Sequence, residues 1–173
     1  MTTLPKCSLD DALASRDRRL EWQQRHFSTS PAATLVVATV VAPGEYKLTP
    51  QTTAVADAMA EALESQFGER IITISRHAFV SGHEIWLTLT CPPEEAKRET
   101  VAIEDTHPLG RLFDIDVILP RLRPLGRGDI AMAPRRCLLC DNEARFCMRA
   151  RRHTPGEIRQ HIENLIYNYL NGR

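Results

Sequence analysis

The sequence predicts an α+β fold, and three observations carry that prediction. Four segments rich in β-branched and other apolar residues alternate with two of helical periodicity, in the order β-α-β-β-α-β. Proline or glycine punctuates most of the boundaries between them. The 173-residue chain is long enough for one such core together with a flanking helix and a C-terminal appendage.

The elements follow in order. Ser8 is placed to cap a helix with Asp11 in its first turn, reaching about His26. Its apolar positions, Leu9, Ala12, Leu13 and Leu20 among them, are few, so Arg16-Asp17-Arg18-Arg19 is expected to lie largely in solvent or to face an anion. Leu35 to Val41 is β-branched and runs into Pro43-Gly44, a strand followed by a turn. Thr49 and Pro50 open a helix whose Val55, Met59, Ala62, Leu63 and Phe67 share a face, and Gly68 stops it. Ile71–Val80 and Ile85–Cys91 are two strands joined through Ser81-Gly82-His83. Pro92 and Pro93, followed by Glu94 and Glu95, start a helix to about Ile103, and a last strand ends near Pro120. This is the split βαβ order of ferredoxin-like folds, with an N-terminal helix added and a core over about residues 30–120. Such a sheet carries its two helices on one face. The first and last helices of the chain are candidates to cover the other. Residues 121–134, with two prolines and two glycines, read as a linker, and residues 135–173 as a cysteine-containing helical appendage, all within a single functional domain.

Composition narrows the function classes. Twenty-two basic and 22 acidic residues cancel, so overall charge points to no polyanionic partner. No apolar run approaches the roughly 20 residues of a membrane span. Asp10 and Asp11 come early and no apolar segment precedes them, which is unlike a secretory signal. Five cysteines, an odd number, fit a reducing compartment better than a disulfide framework, so a cytoplasmic protein is expected.

Two clusters carry chemistry. In the last core strand, Asp114 and Asp116 alternate with Phe113, Ile115 and Val117, so the two carboxylates share one face and the apolar residues anchor the other. Like charges so close are costly unless a cation or proton sits between them. The pattern is that of either a solvated strand edge or a divalent-metal site holding a polyphosphate. Further on, Cys137-x-x-Cys140, Cys147 and His153 offer four soft ligands, fitting either a structural, tetrahedral zinc or buried thiols packing a small helical unit. Between Arg121 and His153, nine arginines face only three acids, which suggests a specific anionic ligand or an acidic protein partner. The sheet shows no row of exposed aromatics for stacking bases, so no nucleic acid is expected. Thr154-Pro155-Gly156-Glu157 is a capping box opening a helix with Ile158, Ile162, Leu165, Ile166 and Tyr169 on one face.

Taken together, these residues resemble a known family. His107-Pro108-Leu109-Gly110-Arg111-Leu112-x-Asp114-Ile115-Asp116-Val117, with Arg136-Cys137-Leu138-x-Cys140, Ala144, Cys147, Arg149 and His153, resembles the citrate lyase holo-acyl-carrier-protein synthases. Arg16-Asp17-x-Arg19 and Pro43-Gly44-x-x-Lys47 extend the likeness over nearly the whole chain. The resemblance implies a transferase of the nucleotidyltransferase type. It would join the phosphoribosyl end of triphosphoribosyl-dephospho-CoA to a serine of the apo citrate lyase acyl carrier protein, releasing pyrophosphate. It further implies Mg²⁺ on Asp114 and Asp116, with substrate phosphates held by Gly110, Arg111, Lys47, Arg16 and Arg19. The general base would be His107, with Asp116 in competition. Cys137, Cys140, Cys147 and His153 would be a structural zinc site. The alternative, from another class, is a non-catalytic zinc-stabilised module binding an acidic protein through its arginine face.

Overall fold

A computed structural model describes residues 4–172. Its elements are α1 (Leu9–Thr29), β1 (Thr34–Val40), α2 (Pro50–Phe67), β2 (Ile71–Phe79), β3 (Gly82–Leu89), α3 (Pro93–Thr106), β4 (Phe113–Leu119), β5 (Arg123–Pro124), α4 (Ala144–Arg149) and α5 (Pro155–Asn171). The chain divides into two compact units, residues 1–125 and 126–173. The fold is therefore α+β, with one five-stranded antiparallel sheet in the order β2-β3-β1-β4-β5. No helix among the described residues is long and apolar enough to cross a membrane.

The sheet register explains why both faces are filled. Ile85, Ala38 and Ile115 stand opposite one another on β3, β1 and β4, as do Leu87, Val36 and Val117. Directly opposed residues point to the same face, so these two rows make an apolar floor. It is buried under α2 and α3, whose Val55, Met59, Leu63 and Phe67, and Ala96, Val101 and Ile103, are buried too. The intervening rows point the other way: Trp86, Val37 and Asp116, then Thr88, Leu35 and Ile118. There Leu35, Val37, Trp86 and Ile118 form a second cluster, completed by Trp22 and Phe27 of α1. The first helix thus covers the face that α2 and α3 leave open. The indole of Trp22 lies edge-on to Trp86 with ring centres 5.1 Å apart, an arrangement aromatic pairs favour.

Local chemistry sets the boundaries. Ser8 caps α1 in a reciprocal box with Asp11, and Thr49 caps α2 in one with Thr52. The β2–β3 hairpin closes on Val80-Ser81, and Gly82, which opens β3, has a φ of +125° that a side chain would resist. β5 falls inside the stretch read as a linker and pairs with Ile118 and Leu119 at the end of β4. Arg70, after α2, ties that end of the unit to α3 by donating to both oxygens of Glu99 at 2.6 and 2.7 Å and to Glu95 at 2.8 Å.

The second unit is organised around its cysteines. Cys137 donates its N–H to the Asn142 carbonyl and Ala144 to that of Arg135, which closes a hairpin carrying Cys137 and Cys140. α5 begins at a Thr154–Glu157 capping box and buries Ile162 and Ile166, with Ile158, Leu165 and Tyr169 half-buried on the same stripe.

Candidate active site

Asp114 and Asp116 project from β4 to the face that α1 crosses, Asp114 exposed and Asp116 half-buried. Across the sheet, Asp114 stands opposite Thr39 of β1, and Thr39 opposite Glu84 of β3. Adjacent strands lie about 4.8 Å apart, so Glu84 and Asp114 flank Thr39 across roughly 10 Å. Glu84 is 3% exposed, and buried charges need partners. Its Oε1 accepts the Ser15 hydroxyl at 2.9 Å, and its Oε2 accepts the Trp86 indole N–H at 3.2 Å. The same Oε1 stands 3.5 Å from Arg18 Nη2 and 3.8 Å from Arg19 Nε. The Arg18 guanidinium lies 3.4 Å from the centre of the Phe79 ring, a cation–π contact. Its Nε and Nη2 are buried and make no hydrogen bond.

The aspartate strand is braced from behind. Lys97 and Glu104 of α3 are both buried, at 5% and 4% exposure. Lys97 Nζ donates to the Ile115 carbonyl at 3.2 Å, while Glu104 accepts the Ile115 N–H at 3.0 Å. Ile115 is the residue between the two aspartates, and β5 does not extend to it. Two charged side chains therefore supply the hydrogen bonds that a neighbouring strand would otherwise give.

The turn ahead of β4 explains two residues of the His-Pro-Leu-Gly-Arg motif. Gly110 is buried, and a Cβ there would meet the Glu104 and Ile103 carbonyl oxygens at 2.5 and 2.6 Å. Glycine is thus required by the close approach of this turn to the end of α3. His107 ends α3, and its Nδ1 accepts the Leu109 N–H at 3.0 Å. A ring accepting at Nδ1 carries its proton on Nε2 when neutral. The imidazole also packs 4.9 Å from Phe113, whose side chain belongs to the sheet face opposite the aspartates. Arg111 is half-buried in the same turn. Lys47 closes the loop after β1 by donating to the Ala42 carbonyl. Arg19 reaches the sheet at Glu84, whereas Arg16 is exposed on the flank of α1.

Ser15, Arg18, Glu84, Lys97 and Glu104 are the site residues that sequence reasoning missed. Lys97 and Glu104 carried a signal, since they fall in phase with Thr100 and Val101 on the buried stripe of α3. Glu84 did as well, as a lone acid at the head of the apolar run Ile85-Trp86-Leu87.

In the second unit, the side chains of Cys137, Cys140, Cys147 and His153 place their ligand atoms within 4.8 Å of one another. Cys140 Sγ lies 3.5 Å from Cys147 Sγ and 3.4 Å from His153 Nε2. Tetrahedral zinc, with bonds of about 2.3 Å to sulfur and 2.0–2.1 Å to nitrogen, sets its ligands about 3.4–3.8 Å apart. The donor set and spacing therefore fit a closed metal site. The Asn142 amide donates to Cys140 at 3.4 Å and is the main reason that thiol is pulled down to about 6, whereas burial pushes Cys147 up to about 12. Arg136, Arg145, Arg149, Arg151 and Arg152 of this unit are exposed.

Comparison with known proteins agrees in extent with these features. A profile of the family described as apo-citrate lyase phosphoribosyl-dephospho-CoA transferase matches residues 7–169, and so spans both clusters. A protein of that name from Shigella flexneri serotype 5b is 35% identical over 162 residues, covering 92% of this chain and 88% of its own. One from Escherichia coli O1:K1 matches at the same identity and coverage.

Proposed function

The chain belongs to the apo-citrate lyase phosphoribosyl-dephospho-CoA transferase family, and from that premise we propose that it attaches the prosthetic group of citrate lyase to its acyl carrier protein. The donor is triphosphoribosyl-dephospho-CoA. The serine Oγ of the apo carrier attacks the phosphorus next to the ribose, the bond to the bridging oxygen breaks, and pyrophosphate leaves. A phosphodiester remains on the carrier.

The observation that carries this reading is the pairing of Asp114 and Asp116 on one face of β4 with the arginines of α1 on the same face. Displacement at phosphorus depends on charge neutralisation and in-line alignment more than on covalent help from the protein. Hard carboxylate oxygens two residues apart on a strand suit Mg²⁺, and the ion, when bound there, neutralises the triphosphate. Asp114 and Asp116 hold and orient that charge. Arg19, Arg111 and Lys47 hold phosphate oxygens, and Arg16 receives the substrate from solvent. Gly110 lets the turn that carries Arg111 sit against α3. The serine proton passes to Asp116, which shares the aspartate face, rather than to His107, whose Nδ1 is used within its own turn.

The second unit supplies a structural Zn²⁺ site at Cys137, Cys140, Cys147 and His153, with no position left open for chemistry. Its exposed arginines dock the acidic carrier and steer its approach. Free cysteines suit the reducing cytoplasm as the place of reaction.

The test is direct. Purified protein, Mg²⁺, the triphosphoribosyl precursor and apo carrier should yield one pyrophosphate per carrier, with a carrier mass increase equal to the transferred group. An unchanged carrier mass without pyrophosphate contradicts the transferase reading and leaves the acidic-protein-binding module.

A further inference from the structure

We propose that Glu84 is a positioning residue, which fixes the Arg19 guanidinium over the sheet face that also carries Asp114 and Asp116, and so builds a polyphosphate subsite beneath α1. The inference rests on the reading given under Proposed function and adds a residue that the sequence motifs do not contain.

A carboxylate 3% exposed on a sheet face is retained only if its lone pairs and charge are met. Ser15 and Trp86 meet its lone pairs, one oxygen each. Its charge is met by two guanidinium groups, at 3.5 and 3.8 Å. One negative charge facing two positive ones leaves a positive excess. That excess lies one strand from Thr39 and two from Asp114.

Helix geometry divides the labour between the two arginines. Consecutive residues are about 100° apart around a helix. Arg18 leans toward the edge strand β2, where it stacks on Phe79. Arg19, one position on, meets the same Glu84 oxygen while its side chain stays about a third exposed and open to a ligand. Ser15, one turn earlier on α1, gives Glu84 a third tie to the same helix. Without Glu84, the Arg19 side chain would retain many rotamers, and ordering it would fall to the ligand.

The sign of the effect separates positioning from background charge. Removing a nearby negative charge should by itself tighten the binding of an anion. Removing the group that orients Arg19 should weaken it. The experiment is calorimetric titration of the full chain with tripolyphosphate in the presence of Mg²⁺. It compares wild type, Glu84→Gln, Arg19→Ala and the double variant, each checked for an unchanged melting transition. Glu84→Gln is expected to bind about tenfold more weakly, the scale of leaving one long side chain for the ligand to order. The double variant should be no weaker than Arg19→Ala alone, because groups acting through each other are not additive. Should Glu84→Gln fail to fold, Ser15→Ala replaces it. That change removes the 2.9 Å hydroxyl contact from a helix that tolerates alanine, and severalfold weaker binding is expected. Glu84→Gln binding as tightly as wild type or tighter, or effects that multiply in the double variant, overturns the positioning role alone. Absence of tripolyphosphate binding by the wild type overturns the polyphosphate reading and the positioning role with it.

Discussion

The Glu104 carboxylate on α3 accepts the backbone N–H of Ile115 at 3.0 Å, and so holds the residue that separates Asp114 from Asp116. Lys97 completes the brace at the Ile115 carbonyl. A sheet edge that would otherwise invite another strand is closed by two buried charges, and the aspartates on the far face inherit a fixed backbone. The backbone between the two aspartates is thus fixed from the face of the sheet opposite to theirs.

Glu104→Ala should leave a buried donor without its acceptor, at a cost of about 1–3 kcal/mol. Urea unfolding measures this. Transfer activity should also fall in protein that remains folded, because the aspartates lose their brace. Wild-type stability in Glu104→Ala would show that the Ile115 contact does no structural work.

Gly110→Ala tests the turn. A methyl group 2.5 Å from a backbone carbonyl oxygen has no side chain to displace, so α3 or the turn must shift. Overpacking of this kind costs about 1–3 kcal/mol. The melting temperature should drop accordingly. An unchanged melt would remove close approach as the reason for glycine here, and leave a direct substrate role.

The Arg70–Glu99 pair gives a pH dependence. Hydrogen bonds from Arg70 hold the Glu99 carboxyl below its ordinary value of 4.5. A carboxyl depressed in the folded state adds stability that is present above the ordinary value and lost as pH falls through the lowered one. The pair is partly exposed, so the contribution is about 1 kcal/mol or less. Glu99→Gln should therefore be less stable than wild type at neutral pH, and the gap should close in acid below the ordinary carboxylate range. A gap that persists at low pH would trace the loss to packing.

For the cysteine cluster, metal analysis of protein purified without chelator should give one zinc per chain. Chelation, or Cys140→Ser, should lower the helicity contributed by residues 126–173. Absence of zinc, with thermal stability unaffected by chelator, would leave only thiol packing.

Much of this molecule was legible in its sequence. Thr49-Pro50, Ser8 with Asp11, and Thr154 with Glu157 announced helix starts because capping is local chemistry. Alternation placed Asp114 and Asp116 on one face because side-chain direction in a strand is fixed by the backbone. β5 was hidden: two residues, one of them proline, carry no periodicity, and their pairing depends on β4. Glu84, Lys97 and Glu104 were hidden for a related reason. Their positions hint at burial, but the partners that satisfy them, Ser15 and the α1 arginines for Glu84 and the Ile115 backbone for Lys97 and Glu104, are far away in sequence. The sequence already grouped Cys147 and His153 with the Cys-x-x-Cys pair, and α4 with the chain after it brings the four ligand atoms within 4.8 Å of one another.

The role proposed for the Asp114–Asp116 pair is to carry the charge chemistry of transfer. Its most direct test is single-turnover modification of apo carrier by Asp114→Asn at saturating Mg²⁺ and precursor, read as intact carrier mass. The variant should fold, bind carrier and transfer at least about a hundredfold more slowly than wild type, the scale of losing one electrostatic element of a transition-state site. Transfer by Asp114→Asn at the wild-type rate would contradict the account.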